Sequence, residues 1–273
     1  LNRARLPFRH TGIDRSELRE EPTLGEDAEI SRKGSREPAN LADLPRPRVP
    51  AISIMPDITL PIDFRWLGRI EYRAALAMQE SLVAQRRAGE IDDTVLLLQH
   101  DPVYTIGRTR DRSSLRESAA LPHPVVEINR GGQATWHGPG QLVGYLIVDL
   151  QGRGADLHRY LRALEQAQID CLREIGVENA GRREGLTGVW IGDRKIASIG
   201  VGVRHWVAMH GFALNVSRDL SGFEAIVPCG IAGVTMTSVE RETGRDVSVE
   251  SVAEAVREPV RRALDSLAGS GGD

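Results

Sequence analysis

From Ile58 onward the chain alternates stretches of helical apolar repeat with short, dense apolar runs. The two patterns predict different elements. Through EYRAALAMQESLVAQRRAGE (71–90), Tyr72, Leu76, Leu82 and Val83 return at roughly helical spacing, as a helix with one buried face requires. A clearer helix is predicted over 156–175. Asp156 can cap it, Leu157, Leu161, Leu164, Cys171, Leu172 and Ile175 share a broad apolar face, and Gly176 can end it. On that face Cys171 reads as a packed thiol. The runs at 93–100, 103–108, 124–130, 142–150, 188–192, 195–204 and 212–216 read as strands, several of them ending in Gly or Pro turns. Near the C-terminus Ser251 and Glu254 suggest a capping box ahead of Val252, Val256, Val260, Leu264 and Leu267, with Pro259 kinking or dividing the helix. Internal repeats and the regular alternation of a doubly wound sheet or barrel are absent. The pattern therefore predicts one α/β domain.

Residues 1–57 differ, holding seven of the 14 prolines, mixed charge and no sustained period. Such a stretch buries too little apolar surface to offset its ordering entropy, and a mostly disordered extension is expected. The expected division is 1–57 extension, 58–268 folded domain and 269–273 flexible C-terminus.

Composition narrows the function. A formal charge of −3 and a pI near 6.2 do not suggest general nucleic-acid binding. Two cysteines are too few for a disulfide framework and fit a reducing compartment. No apolar run approaches the roughly 18 residues of a spanning helix, and the first residues lack the apolar core of a secretory signal. The expectation is a soluble cytoplasmic protein without membrane or nucleic-acid partners. One feature of the charge is unusual. The chain has 33 Arg and only two Lys, Lys33 in the irregular segment and Lys195 in the Gly-punctuated run GDRKIASIG.

Two segments could carry chemistry. In RGGQATWHGPGQ (130–141), five Gly or Pro positions among twelve are costly unless the backbone turns tightly or approaches a ligand. Arg130, Gln133, Trp136, His137 and Gln141 surround that framework, which matches neither a Walker A loop nor a dinucleotide fingerprint. In IVPCGIAG (226–233), Cys229 lies between Pro228 and Gly230, outside any helical stripe. A thiolate there could attack a carbonyl and later leave from a thioester. Among the histidines, His137 and His210 are best placed as partners, each preceding Gly beside a strand-like run. Lys195 is the other candidate. An ammonium beside Cys229 favours the thiolate, and a primary amine can give up a proton and recover it where a guanidinium does not. The scattered His and Cys form no recognisable metal-ligand cluster, so neither a metal nor a cofactor is expected.

Taken together and in order, RGGQATWHGPGQ, GVWIGDRKIASIGVGV, HGFALNV and IVPCG resemble the lipoyl(octanoyl) transferases, over roughly residues 59–267. The resemblance implies a single biotin/lipoate protein ligase-like catalytic domain, α/β of the α+β type, with a mixed β-sheet packed with helices. It also implies octanoyl transfer from octanoyl-acyl carrier protein to a lysine of apo lipoyl domains, those of 2-oxoacid dehydrogenase complexes and the glycine cleavage H protein. Cys229 takes the nucleophile position and Lys195 the acid/base position. The substrate-lining positions are Arg130, Gly131, Gly132, Gln133, Ala134, Thr135, Trp136 and His137, then Ser198, Ile199 and Gly200, then Gly211, Phe212 and Ala213. Trp136 stands where the family commonly has Tyr, which implies an aromatic wall without a phenol, and Phe212 stands where Leu is frequent. Arg130 and Arg204 are candidates for contact with an acidic carrier. Three other readings remain open: an ATP-dependent lipoate ligase needing an adenylate site, a thioesterase, and a non-catalytic binder of carrier or lipoyl domains.

Overall fold

Strand β2 (Asp93–His100) runs TVLLLQ without a polar break because both of its faces are covered. Val95 and Leu97 point into one core and Leu96 and Leu98 into another, the two-residue alternation of a strand. The computed structural model of the chain describes residues 60–108, 113–115, 121–227 and 233–268. The predicted extension 1–57, the terminus 269–273 and Cys229 with Pro228 and Gly230 lie outside the described residues.

The main sheet joins β1 (Ile62–Ile70), β2, β6 (Gln141–Ile147), β10 (Val207–Asn215), β9 (Arg194–Arg204), β8 (Leu186–Ile191) and β7 (Ala180–Arg183) in that order. The β1–β2 pair is parallel and the later pairs along this path are antiparallel, so the sheet is mixed. The short β11 (Thr235–Met236) runs parallel to the start of β9. A second sheet orders β4 (Val125–Glu127), β3 (Val103–Ile106) and β5 (Thr135–His137). Its apolar residues Tyr104, Ile106 and Trp136 pack with Phe223 and Ile226 in a separate cluster.

Helix α1 (Tyr72–Arg87) is capped by Glu71, whose carboxylate accepts from Ala74 N at 2.8 Å, and it lays Ala75, Leu82 and Val83 on the Leu96, Leu98, Val143 and Ile147 face. The opposite face is covered by α2 (Leu157–Glu174), α4 (Val249–Ala255) and α5 (Arg257–Ala268), with the short α3 (Val239–Thr243) at its margin. Asp156 caps α2 as the sequence predicts, accepting from His158 N and Arg159 N at 2.8 and 3.0 Å. The expected Ser251 cap is corrected. Ser248 caps α4, accepting from Ser251 N at 3.1 Å, because the helix starts early enough to bury Val249. Pro259 falls in the first turn of α5, where a missing N–H costs little, and the helix divides at Val256. Among the described residues no helix is long and apolar enough to cross a membrane.

One buried ion pair ties these layers together. Arg153, from the turn before α2, donates through Nε to Asp93 Oδ2 at 3.0 Å and through Nη1 to Leu264 O of α5 at 2.6 Å. Asp93 Oδ1 also accepts from Arg86 Nε at 2.8 Å and from Asp149 N at 2.9 Å. A buried charge persists only when its hydrogen-bonding capacity is met in this way.

Candidate active site

Lys195 lies second in β9, where its register partners are Trp190 of β8 and Met236 of β11. It is 2% exposed. Its ammonium donates to Thr187 O at 3.0 Å and sits 5.2 Å from the centre of the Trp190 ring. The space for this side chain comes from Gly188, whose φ is +125°. A Cβ there would fall 2.7 Å from Lys195 Cε, 3.2 Å from its Nζ and 2.6 Å from Ala197 O. Gly188 is held in turn by Glu165 of α2, whose fully buried carboxylate accepts from Gly188 N at 3.0 Å. The other Glu165 oxygen accepts from Arg162 at 2.6 Å and Arg182 at 3.1 Å. Glu165 and Gly188 were not among the residues expected from sequence. The available signal was a glutamate inside the apolar stripe of an amphipathic helix, which is rarely buried without a partner.

Lys195 lines a cavity of about 240 Å³. Two of the predicted substrate segments form adjoining rows of its wall, since Ser198, Ile199 and Gly200 of β9 pair with Ala213, Phe212 and Gly211 of β10. Glycine permits the close layers. A Cβ on Gly200 would lie 3.0 Å from Arg130 Cδ, and one on Gly211 only 2.4 Å from Gly144 O. The Arg130 loop is fastened to β9 by Gly131 N donating to Val201 O at 3.1 Å.

The residues of that loop divide between two surroundings. Arg130, Gly132, Gln133, Thr135 and His137 line the cavity. Gly131, Ala134 and Trp136 are not part of its lining. Trp136 packs edge-on against Phe223 at 5.4 Å, pressed between Gly138 and Gly222, so this aromatic supports the second sheet and is not a cavity wall. The cause is strand alternation: in β5, Thr135 and His137 share one face and Trp136 takes the other. Arg130 is buried, donating to Thr105 Oγ1 at 2.9 Å and Gly131 O at 2.8 Å, so it is not presented to an acidic partner. Arg204 remains on the surface.

Polar aromatics surround the cavity beyond Arg130, and sequence patterning singles out His137 and His210 among them but not Tyr72, His100 or Tyr145 as site residues. His137 Nδ1 donates to Gln141 Oε1 at 2.7 Å, an orientation fixed because the Gln141 amide donates to Trp136 O and Asn215 Oδ1. Burial, reinforced by His100, brings the His137 pKa down to about 3. His100 bridges Ile70 O at 2.9 Å and the Tyr145 hydroxyl at 2.7 Å, and burial lowers its pKa as well. Tyr72 and His210 complete this group on the cavity lining. They come from α1 and β10, far apart in the chain, and only the sheet order makes them neighbours. Among the described residues no three His, Cys, Asp or Glu side chains gather as metal ligands.

Cys229 lies outside the described residues, and hydrogen bonds hold the chain on either side of it. Before it, Val227 N donates to Ser114 O at 2.7 Å, and Ser114 Oγ accepts from Ala134 N at 3.2 Å. After it, Thr235 and Met236 pair with Arg194 and Lys195. The other thiol, Cys171, is fully buried on the core face of α2, and burial pushes its pKa to about 12.

Residues 71–261 match the lipoyl protein ligase A/B catalytic domain. The chain is 54% identical over 193 residues to an octanoyltransferase of Geobacter sulfurreducens, covering 71% of this chain and 80% of that protein. It is 46% identical over 215 residues to an octanoyltransferase of Rhodococcus opacus, covering 75% and 81%. A bipartite lipoate protein ligase from Thermoplasma acidophilum shares the fold, with TM-score 0.54 and 19% identity over 75% of this chain and 84% of that one.

Proposed function

The chain belongs to the lipoyl protein ligase A/B catalytic family, on its octanoyltransferase side, and from that membership we propose that Cys229 carries the acyl group while Lys195 moves the protons. The protein is an acyltransferase that places an octanoyl group on lipoyl-domain lysines by way of a cysteine. Cys171 is unsuited to that role, being buried on the helical side of the sheet as an un-ionised thiol. That leaves Cys229. The observation that carries the reading is Lys195, a buried primary amine on the cavity wall, beside the strand into which the Cys229 segment leads.

In the first transfer the Cys229 thiolate attacks the carbonyl carbon of octanoyl-acyl carrier protein. A new C–S bond forms, the bond to the phosphopantetheine sulfur breaks, and Lys195 gives its proton to the departing thiolate. In the second, the neutral amine of the target lysine attacks the Cys229 thioester. Lys195 takes up the released proton, the amide leaves, and both groups return to their starting states. A thioester is already activated, so neither step consumes ATP. The acceptors in this reading are apo lipoyl domains of 2-oxoacid dehydrogenase complexes and the glycine cleavage H protein, encountered in the cytoplasm. Seven carbons beyond the carbonyl, at roughly 0.8 kcal/mol per buried CH₂, supply several kcal/mol of gross binding against short acyl groups.

The test is intact mass after incubation with octanoyl-acyl carrier protein without ATP. An octanoyl increment located on Cys229, discharged as an amide when an apo lipoyl domain is added, is the expected result. Competent transfer without that adduct would sink the covalent route. Release as free octanoate alone would identify a thioesterase. Lys195→Arg keeps the charge and loses ready proton exchange, so retained activity across a pH series would contradict the role given to Lys195.

A further inference from the structure

Val201 lies six residues beyond Lys195 on β9, about 20 Å between backbone positions at ~3.3 Å per residue. The Lys195 side chain spans part of that distance by running along the strand to Thr187 O. Val201 pairs with His210. If Lys195 marks the reacting end of the cavity, His210 therefore lies toward its far end. An octanoyl tail calls for an apolar surface there, yet this end holds Tyr72, Tyr145, His137, Arg130 and His210 on its lining, with His100 behind them.

Nearly all of these groups satisfy one another. His100 Nε2 and the Tyr145 hydroxyl are 2.7 Å apart, His137 is paired with Gln141, and Arg130 with Thr105. His210 is the exception. It is 2% exposed and lines the cavity, and neither ring nitrogen has a hydrogen-bond partner among the described residues. Its placement is enforced by the backbone, with φ at +60° and its N–H donated to Gln79 Oε1 at 2.9 Å. That conformation is unfavourable for a side chain of this size and persists only when its surroundings impose it. The ring lies edge-on to Tyr145 at 6.1 Å. Burial, with Arg130 and Arg204 adding to it, lowers its pKa to about 4 and keeps it neutral near pH 7. A neutral imidazole offers one donor and one acceptor, the complement of a hydroxyl. The Thr135 hydroxyl, on the β5 wall, is a second cavity-lining group without a partner among the described residues.

We propose that the far end of the cavity is a polar subsite in which His210 hydrogen-bonds an oxygen carried near the distal end of the acyl chain, so that the enzyme also transfers hydroxylated eight-carbon acyl groups. The proposal rests on the reading in which Cys229 and Lys195 define the reacting end. It adds no chemical step. The two transfers are those described above, with a hydroxyl group remote from the thioester. Buried polar groups in native proteins are generally matched, and a hydroxyl on the acyl chain would match His210.

The test uses the full chain, an apo lipoyl domain, and carrier-protein thioesters of octanoyl, 7-hydroxyoctanoyl, 8-hydroxyoctanoyl and nonanoyl groups. Nonanoyl matches 8-hydroxyoctanoyl in length, with methyl in place of hydroxyl. The expected result is a kcat/KM for the better hydroxyoctanoyl donor at least equal to that for nonanoyl. His210→Phe should lower this ratio about tenfold or more. His210→Asn, which tolerates the left-handed backbone and keeps a donor and an acceptor, should recover part of it. Preference of the wild-type protein for nonanoyl over both hydroxyoctanoyl donors overturns the proposal, and so does a ratio that His210→Phe leaves unmoved. Should His210→Phe fail to fold, the wild-type ratio decides alone. Octanoyl controls keep the two readings apart: if octanoyl acylates Cys229 normally while the hydroxyl gives no advantage, only the polar subsite fails. If octanoyl itself leaves Cys229 unmodified, the covalent reading fails.

Discussion

Replacing Gly188 with Ala should disable the enzyme through Lys195 without touching either proposed catalytic residue. The new Cβ would lie 2.7 Å from Lys195 Cε, where ordinary contact begins at 3.4 Å, so the Lys195 stem must move by about 0.7 Å. The same Cβ meets the Ala197 carbonyl oxygen at 2.6 Å, and that backbone, paired to Leu214 across the sheet, has little freedom to give way. Displacement falls on the side chain and loosens the 3.0 Å bond from Nζ to Thr187 O. A misplacement near 1 Å costs roughly 10²-fold in rate, so kcat/KM for octanoyl transfer should fall by about that factor. The strained backbone adds about 1–3 kcal/mol of destabilisation, at roughly 2–4 °C of Tm per kcal/mol. Gly192→Ala, in the β8–β9 turn, separates the two effects. Its φ is +61° with nothing within 4 Å of the added methyl, so it carries backbone strain of about 1–2 kcal/mol without the clash. The assay is initial-rate transfer to an apo lipoyl domain at a temperature where both variants are folded, beside their melting curves. Wild-type kcat/KM in Gly188→Ala, or an equal loss in Gly192→Ala, would refute the reasoning.

Asp93→Ala leaves Arg153 buried without its carboxylate and should cost about 3–5 kcal/mol in denaturant unfolding, while activity per folded molecule is kept. The folded pKa values of His100, His137 and His210 all lie below the roughly 6.5 of an unfolded histidine. Below about pH 6.5 the unfolded chain therefore binds protons that the folded one refuses, and stability falls as pH drops, continuing toward about 4 for His210 and about 3 for His137. Each contributes up to about 1.4 kcal/mol per pH unit in that window, and His210→Asn should remove one share of the slope measured by chemical denaturation between pH 7 and 5. Brief alkylation of the native protein near neutral pH should label Cys229 and spare Cys171, because burial holds the Cys171 thiol up at about 12. Peptide mapping that finds Cys171 labelled at a comparable rate would remove the argument by elimination for Cys229.

Local pattern was sufficient for much of this protein. The helical stripes of α1 and α2 (the latter without Leu157, which is exposed), the Asp156 cap and the division near Pro259 follow from side-chain spacing and backbone chemistry that act within a few residues. The excess of Arg over Lys singled out Lys195, and the Gly-rich segments marked where layers approach closely, since only a missing Cβ lets Gly200 lie under Arg130. Properties that depend on long-range pairing were not legible. Trp136 belongs to the motif by sequence and to the second core by strand parity. Tyr72, His100, Tyr145 and His210 form one polar end only because β2, β6 and β10 are neighbours in the sheet with α1 laid across them. Glu165 reaches Gly188 by packing α2 beneath β8. Sequence by itself determined the main helices and most of the strands, though not β1 or β7, and it pointed to Lys195 and Cys229 as candidates, because local propensity and intrinsic side-chain chemistry act within a few residues. The tertiary structure decided which groups share the cavity, how Lys195 is held, and that His210 faces it without a hydrogen-bond partner among the described residues, because burial and hydrogen-bond matching are properties of the assembled layers.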